Sequence, residues 1–189
     1  GHVFHPWEGG EGKISEQYVL SLLALARADL AAGHWDQARE KLERARSYPP
    51  NLNEGKLAGA QDNHIFYYLG LAYEGVGDAE TARACFERAA RGSVELSSAM
   101  YYNDQPPDMI FYQGLARQKL GRIPEARAIF EKMIEYAEQQ MQDQVQMDYF
   151  AVSLPNFLVF DDDLTLRNRI HCHYLLALGS IGRGRMHDA

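Results

Sequence analysis

The sequence is poor in several features that mark particular classes of protein. It has only two cysteines in 189 residues, which argues against a disulfide framework. A nucleic-acid-binding face is not expected, because 26 acidic side chains outnumber 19 basic ones and the net charge is −7. No apolar run reaches the roughly 20 residues that span a bilayer, and no stretch has the basic start and apolar core of a secretion signal. A cytoplasmic protein without a membrane partner is therefore the expectation.

Catalytic motifs are also lacking. The chain contains no glycine-rich phosphate loop before a helix, no HExxH pair and no nucleophile elbow. His171, Cys172 and His173 suggest a metal site, but alternate residues of a helix point in different directions and cannot meet at one ion. The sequence therefore predicts no catalytic residue, no metal site and no cofactor, and we expect the isolated chain not to be an enzyme.

What the sequence does contain is a periodic unit. In residues 63–91, small or apolar side chains recur on one face before and after Gly77, which is typical of two short helices joined by a tight turn. Gly77 permits a left-handed turn, and Asp78 is predicted to cap the second helix. Gly70 and Ala82 lack bulk, so the two helices can cross closely. The larger side chains that fill the space around the crossing are Phe66, Tyr73 and Phe86.

The same unit occurs again along the chain. Turn glycines at Gly33, Gly77 and Gly121 lie 44 residues apart, and each is followed five residues later by an alanine. Gly184 and Ala189 have the same spacing and mark a fourth, shortened unit. The pattern resembles the tetratricopeptide repeat, in which a large residue, Leu-Gly, Tyr, Ala and Phe follow one another over about 34 residues. In the second unit these are Phe66, Leu69, Gly70, Tyr73, Ala82 and Phe86.

The resemblance implies an all-α fold. The fold it implies is a right-handed superhelical solenoid of antiparallel helix pairs, with about three and a half repeats and long inserts. We expect a loop over residues 1–13 and one repeat domain over residues 14–189. The predicted repeats cover about 16–50, 62–92, 106–146 and 164–189.

Some helix ends are predicted from capping and breaking residues. Ser15 is expected to cap a first helix over 16–32. The second helix of the third unit is expected to run from Ile123 to about Val145 because its polar end favours helix. Asp161, Asp162 and Asp163 could suggest a cation site, but they are expected to cap the last helix and to interact with its dipole.

In such a stack the first helix of each pair lines the concave side. Periodicity there predicts an aromatic row, an aliphatic row and a polar edge, a groove suited to an extended or helical peptide. The predicted partner-binding residues are His64, Tyr67, Leu71, Glu74, Asp108, Phe111, Leu115, Gln118, His171, Tyr174 and Leu178. The alternative is that the chain's own inserts, residues 94–104 and 149–160, cover this groove.

The first 13 residues are unusual for a loop, because His5, Trp7, Glu8, Glu11 and Lys13 lie among glycines. One interpretation is a loop that lends these side chains to a neighbouring domain, with the glutamates in hydrogen-bonding or acid–base roles. The other is an ordered segment in which the tryptophan covers the first helix pair.

Residues 4–13 and 148–179 resemble the C-terminal repeat region of large bacterial proteins, in which a sugar-mutarotase-like domain of unknown function precedes the repeats. The resemblance implies that this chain is the repeat half of a longer polypeptide.

The sequence therefore predicts a non-catalytic helical-repeat scaffold that mediates protein–protein or inter-domain interaction. Its expected partner is a protein or peptide segment, or the preceding domain of its own chain. The alternative is an accessory domain of a carbohydrate-active enzyme, whose loop over residues 5–13 completes a site on the preceding domain. Because the fourth unit is shortened, we also expect an apolar face over residues 167–182 and self-association, as a homodimer, through that end.

Overall fold

The computed structural model describes residues 2–5, 12–56, 60–98, 105–145 and 163–184, and every structural statement below concerns these residues. They form seven α-helices and a short 3-10 turn at Pro50–Leu52, with no β-strand among them, so the all-α prediction is confirmed. The helices are α1 (Lys13–Ala31), α2 (Trp35–Ala45), α3 (Asn63–Gly75), α4 (Ala79–Ala89), α5 (Pro107–Lys119), α6 (Ile123–Gln140) and α7 (Leu164–Gly184).

The chain divides into two compact units, and the first, Gly1–Ala89, contains α1 to α4. Within it α1 packs on α2, α2 on α3 and α3 on α4. Helices α3 and α4 run antiparallel, because the Asn63 side-chain amide at the start of α3 donates a 2.8 Å hydrogen bond to the carbonyl oxygen of Ala89 at the end of α4. The turn between them contains Gly77 at φ 85°, a left-handed conformation that glycine adopts without steric cost.

Close approach in this unit depends on residues without a side chain. A Cβ atom on Gly70 would lie 2.6 Å from Cδ1 of the buried Phe86 ring, and one on Gly75 would lie 2.5 Å from Cε3 of Trp35. Both distances are shorter than van der Waals contact allows, so α3 meets α4 and α2 at positions where only glycine fits. The role predicted for Gly70 is thereby confirmed.

The second unit, Ala90–Ala189, contains α5, α6 and α7. A Cβ on Gly114 of α5 would lie 2.5 Å from Cζ of Phe130 in α6, and one on Gly182 of α7 would lie 2.6 Å from Cγ of the same ring. Asn168 of α7 donates from Nδ2 to the carbonyl oxygen of Gln140, 2.7 Å away, so the start of α7 lies at the end of α6. The fully buried Phe130 ring of α6 thus packs against a glycine of α5 and a glycine of α7.

Two of the predicted aspartate caps are confirmed. Oδ1 of Asp78 accepts a 3.0 Å hydrogen bond from the backbone N–H of Thr81. Oδ1 of Asp163 accepts one of the same length from the N–H of Leu166. Each carboxylate satisfies a donor that a helix leaves unpaired in its first turn. Asp161 and Asp162 lie outside the described residues.

Four other predictions about helix ends are wrong. Helix α1 begins at Lys13, so this residue is helical rather than part of the predicted loop, and Gly12 at φ 79° precedes it. Ser15 is buried within the first turn and donates its hydroxyl to Glu54 instead of capping. Helix α6 ends at Gln140, five residues before the predicted end. Gly184 is the last residue of α7 and has no positive φ, so it does not form the expected turn.

Candidate functional site

The predicted partner-binding residues of the first unit differ in exposure. Glu74 is exposed, and Leu71 and His64 are half-buried, so all three reach the surface of α3. Tyr67 is only 7% exposed. Its ring centroid lies 6.0 Å from that of Phe86 on α4, which is within the range of aromatic contacts. The prediction that Tyr67 lies away from the packing face is therefore wrong.

The same correction applies to the second unit. Phe111 is 8% exposed, and its ring centroid lies 5.9 Å from that of Phe130. Leu115 is 2% exposed. The expected aromatic row is thus, at Tyr67 and Phe111, part of the contact within a helix pair. Asp108, Gln118, His171 and Leu178 are half-buried, whereas Tyr174 is exposed.

The periodicity missed these contacts because the packing face is wider than one row of residues. Tyr67 precedes Gly70 by three positions, and Phe111 precedes Gly114 by three, so each ring stands beside the glycine on the same helical face. The Phe86 and Phe130 rings fill the space above the glycines and also touch these neighbours. A recurring aromatic residue three positions before the small residue was the available signal.

The insert after α4 lies on the second unit. Nε2 of Gln113 on α5 donates a 2.9 Å hydrogen bond to the carbonyl oxygen of Ser93, and Nζ of Lys132 on α6 lies 2.8 Å from the Glu95 carboxylate. Nε2 of His171 on α7 lies 2.9 Å from the carbonyl oxygen of Ser97. Residues 93–97 therefore contact three helices in succession. One of the predicted partner-binding residues, His171, is therefore in contact with the chain's own insert. Residues 99–104 and 149–160, the rest of the two inserts, lie outside the described residues.

Family models match three segments of the chain, all with the description tetratricopeptide repeat. One model covers residues 108–139, and another covers residues 19–44 and 64–88. These segments are similar to tetratricopeptide repeats. No solved structure matches the chain. The matched segments coincide with α1 and α2, α3 and α4, and α5 and α6, the three pairs in which the second helix follows a glycine turn.

Tetratricopeptide repeats generally mediate protein–protein interaction and are generally non-catalytic. Cys85 and Cys172 are free and buried, and desolvation raises the pKa of both thiols, which makes them poor nucleophiles. Among the residues with described positions, no group of three His, Cys, Asp or Glu side chains can hold a metal ion. Within the same residues no helix has the length and apolar character needed to cross a membrane.

Among the titratable groups of the described residues, His64, at the polar edge of the second repeat, has the most strongly shifted pKa. Desolvation by burial lowers its pKa to about 4, with Lys56 adding to the effect and Asp62 opposing it. Its imidazole is therefore neutral at pH 7. Nζ of Lys56 lies 2.6 Å from Oδ1 of Asp62 and 5.6 Å from the centroid of the Tyr48 ring. This group of contacts ties the connection after α2 to the start of α3, and sequence periodicity gave no sign of it.

Near the start of the chain, one residue before and one residue after the segment 6–11 form hydrogen bonds with the connection that follows α2. The N–H of Phe4 donates a 2.9 Å hydrogen bond to the carbonyl oxygen of Asn51. The N–H of Gly12 donates one of 2.8 Å to Oε1 of Glu54, whose pKa is lowered chiefly by its hydrogen bond from Ser15. His5 and Lys13 are exposed. Trp7, Glu8 and Glu11 lie outside the described residues.

Proposed function

We propose that this chain is a non-catalytic tetratricopeptide-repeat scaffold that binds a protein or peptide segment, or the preceding domain of its own polypeptide. The proposal is supported above all by the three repeat matches on helix pairs. The finer part of the proposal is that the partner contacts the first helices of the pairs, as is usual for the curved surfaces of helical repeats.

The exposure of the predicted partner-binding residues limits the proposed binding surface on each unit. On α3 it consists of Leu71 and Glu74, with His64 at the edge. On the second unit it consists of the exposed Tyr174 and the half-buried Asp108, Gln118 and Leu178. Phe111 and Leu115 are left out because they are buried, and His171 because it contacts Ser97. A few apolar side chains among polar ones favour a peptide that contributes both kinds of contact.

Site-specific photo-crosslinking tests this surface. A benzoylphenylalanine replaces Leu71 or Glu74 on α3, or the exposed Arg83 on α4 as the matched control on a second helix. We expect a discrete cross-linked product from the two positions on α3 and none from Arg83, because only the first helix faces the partner. Equal products from all three positions, or none from any, would show that α3 does not carry the binding surface.

A second candidate function is suggested by the contacts on both sides of residues 6–11. Phe4 and Gly12 both bond to the connection at residues 51–54. Anchoring on the two sides favours the alternative that the loop over residues 5–13 completes a site on a sugar-processing domain that precedes it. In the longer polypeptide, Glu8→Gln or Glu11→Gln should then abolish sugar processing while the far-ultraviolet circular dichroism stays unchanged. Full activity in both variants would remove this candidate.

Two further expectations remain predictions. One is a cytoplasmic location, and the other is self-association through the end of the chain. The latter concerns the apolar face expected over residues 167–182, which belong to α7.

A further inference from the structure

We propose that α7 carries a second docking surface, and that its occupant is an amphipathic helix with an aromatic ring on its apolar face and carboxylates beside it. This surface shares only Tyr174 with the predicted partner-binding residues. Four large apolar side chains of α7 are strongly exposed: Leu166 by 51%, Ile170 by 61%, Tyr174 by 45% and Ile181 by 48%. With the exposed His173 and Ala177 they form one continuous face, because their spacings are those of a single side of a helix. We call this face the α7 stripe.

The α7 stripe lies opposite the residues by which α7 packs on its own unit. Those residues are buried, and they include Cys172, Leu175 and Gly179. Helix α7 is thus apolar on two sides, of which only one is covered by described residues. A helix of this kind is typical of the interior of a helical stack rather than of its edge.

A comparison of α7 with α3, position by position, indicates which contact the α7 stripe is suited to make. Gly75 of α3 meets the Trp35 ring of the preceding helix, and Gly182 of α7 meets the Phe130 ring of the preceding helix in the same way. Placing Gly182 on Gly75 aligns Ala177 with Gly70.

The same alignment places Tyr174 on Tyr67. In α3, Gly70 and Tyr67 both lie against Phe86 of the second helix. Ala177 and Tyr174 therefore occupy the positions that, in α3, contact the aromatic ring of the second helix. Tyr174 is 45% exposed where Tyr67 is 7% exposed, which is the difference expected when the ring from a second helix has not been supplied.

The charges on α7 distinguish between two possible occupants of the stripe, a second copy of α7 and an acidic helix. Helix α7 contains Arg167, Arg169 and Arg183 and no acidic residue between Leu164 and Gly184. Helical spacing places the exposed Arg169 beside the stripe. A second copy of α7 would bring one positively charged helix towards another, whereas a helix with glutamates beside its apolar face would be attracted to α7 and could pair with Arg169. The charge pattern therefore favours an acidic helix over the expected homodimer.

A peptide from the chain itself provides the probe. The sequence of α6, residues 123–140, carries Phe130, four glutamates and two basic residues, and Phe130 already fills the space above Gly114 and Gly182. A capped synthetic peptide of this sequence is titrated into the full 189-residue chain, and binding is followed by fluorescence anisotropy. We expect saturable binding that weakens at least tenfold with Ile170→Glu in the chain, and at least tenfold with Phe130→Ala in the peptide.

Two comparisons separate this proposal from a general apolar attraction. A peptide with Glu135→Lys and Glu138→Lys should bind several-fold more weakly, and the difference should shrink at high salt. Leu25→Glu changes an equally exposed leucine on α1 and should leave binding unchanged. Circular dichroism of Ile170→Glu checks that the helices remain folded.

Other outcomes would overturn the proposal. They are no binding of the α6 peptide, equal binding of the lysine peptide, or equal binding by the Ile170→Glu chain. Sedimentation that shows a dimer lost in Ile170→Glu would assign the stripe to a second copy. Protection of an introduced Ile170→Cys thiol from alkylation, in a monomeric chain, would assign it to other residues of the same chain. Because none of these measurements involves α3, their failure leaves the proposed function intact.

Discussion

Acidification tests the burial of His64 at the start of the second repeat. The pKa of His64 in the folded chain is about 4, below its ordinary value of 6.5, because desolvation by burial disfavours the charged imidazole. The unfolded chain therefore binds the proton more tightly, and stability is complete above pH 6.5 and falls as the pH drops towards 4. Since one pKa unit corresponds to about 1.4 kcal/mol, this group should remove about 2 kcal/mol from the free energy of unfolding between pH 7 and pH 5.

The variant His64→Gln isolates this effect from other titrating groups. Urea unfolding, followed by the fluorescence of the two tryptophans of the first unit, gives the free energy of unfolding at both pH values. The loss of stability on acidification should be smaller in His64→Gln by about 2 kcal/mol. In parallel, NMR titration of the His64 ring gives its pKa directly. An equal loss in both proteins, or a ring that titrates above pH 6, would show that His64 is not desolvated as described.

Two further predictions concern hydrogen bonds that join elements of the second unit. Asn168→Ala leaves the Gln140 carbonyl without its 2.7 Å donor, so the free energy of unfolding should fall by about 1–3 kcal/mol, with faster amide exchange in the first turns of α7. Gln113→Leu removes the 2.9 Å bond from Nε2 to the Ser93 carbonyl. Its cost in urea unfolding should be of similar size, about 1–3 kcal/mol, and amides at 94–97 should exchange faster while those of α6 are unchanged.

The helix pairs were predictable because their signals are local. Gly77 and Gly121 end one helix and Asp78 begins the next, and each acts through neighbours within a few residues. The small residue Gly70 and the ring of Phe86 recur at fixed distances from the turn, so their contact follows from helical period and turn position alone.

The missed features depend on contacts between distant parts of the chain. Helix α1 starts early because Glu54, far along the sequence, accepts hydrogen bonds from Gly12 and Ser15. His171 contacts Ser97, 74 residues away, and no periodicity encodes such a pairing. Sequence periodicity predicts an outward-facing Tyr67 because it gives the direction of a side chain but not the size of the ring that approaches it from the neighbouring helix.

The claim on which the repeat architecture rests is that helices in a pair nest where a glycine faces an aromatic ring. Comparing the free energies of unfolding of Gly70→Ala and Gly184→Ala tests it most directly. Both changes replace a helical glycine by alanine, but the new Cβ would lie 2.6 Å from Phe86 Cδ1 in the first and near no other atom in the second. Overpacking should make Gly70→Ala less stable than Gly184→Ala by about 1–3 kcal/mol, and Phe86→Leu should reduce that difference. Equal stability of the two variants would contradict the nested helix pair.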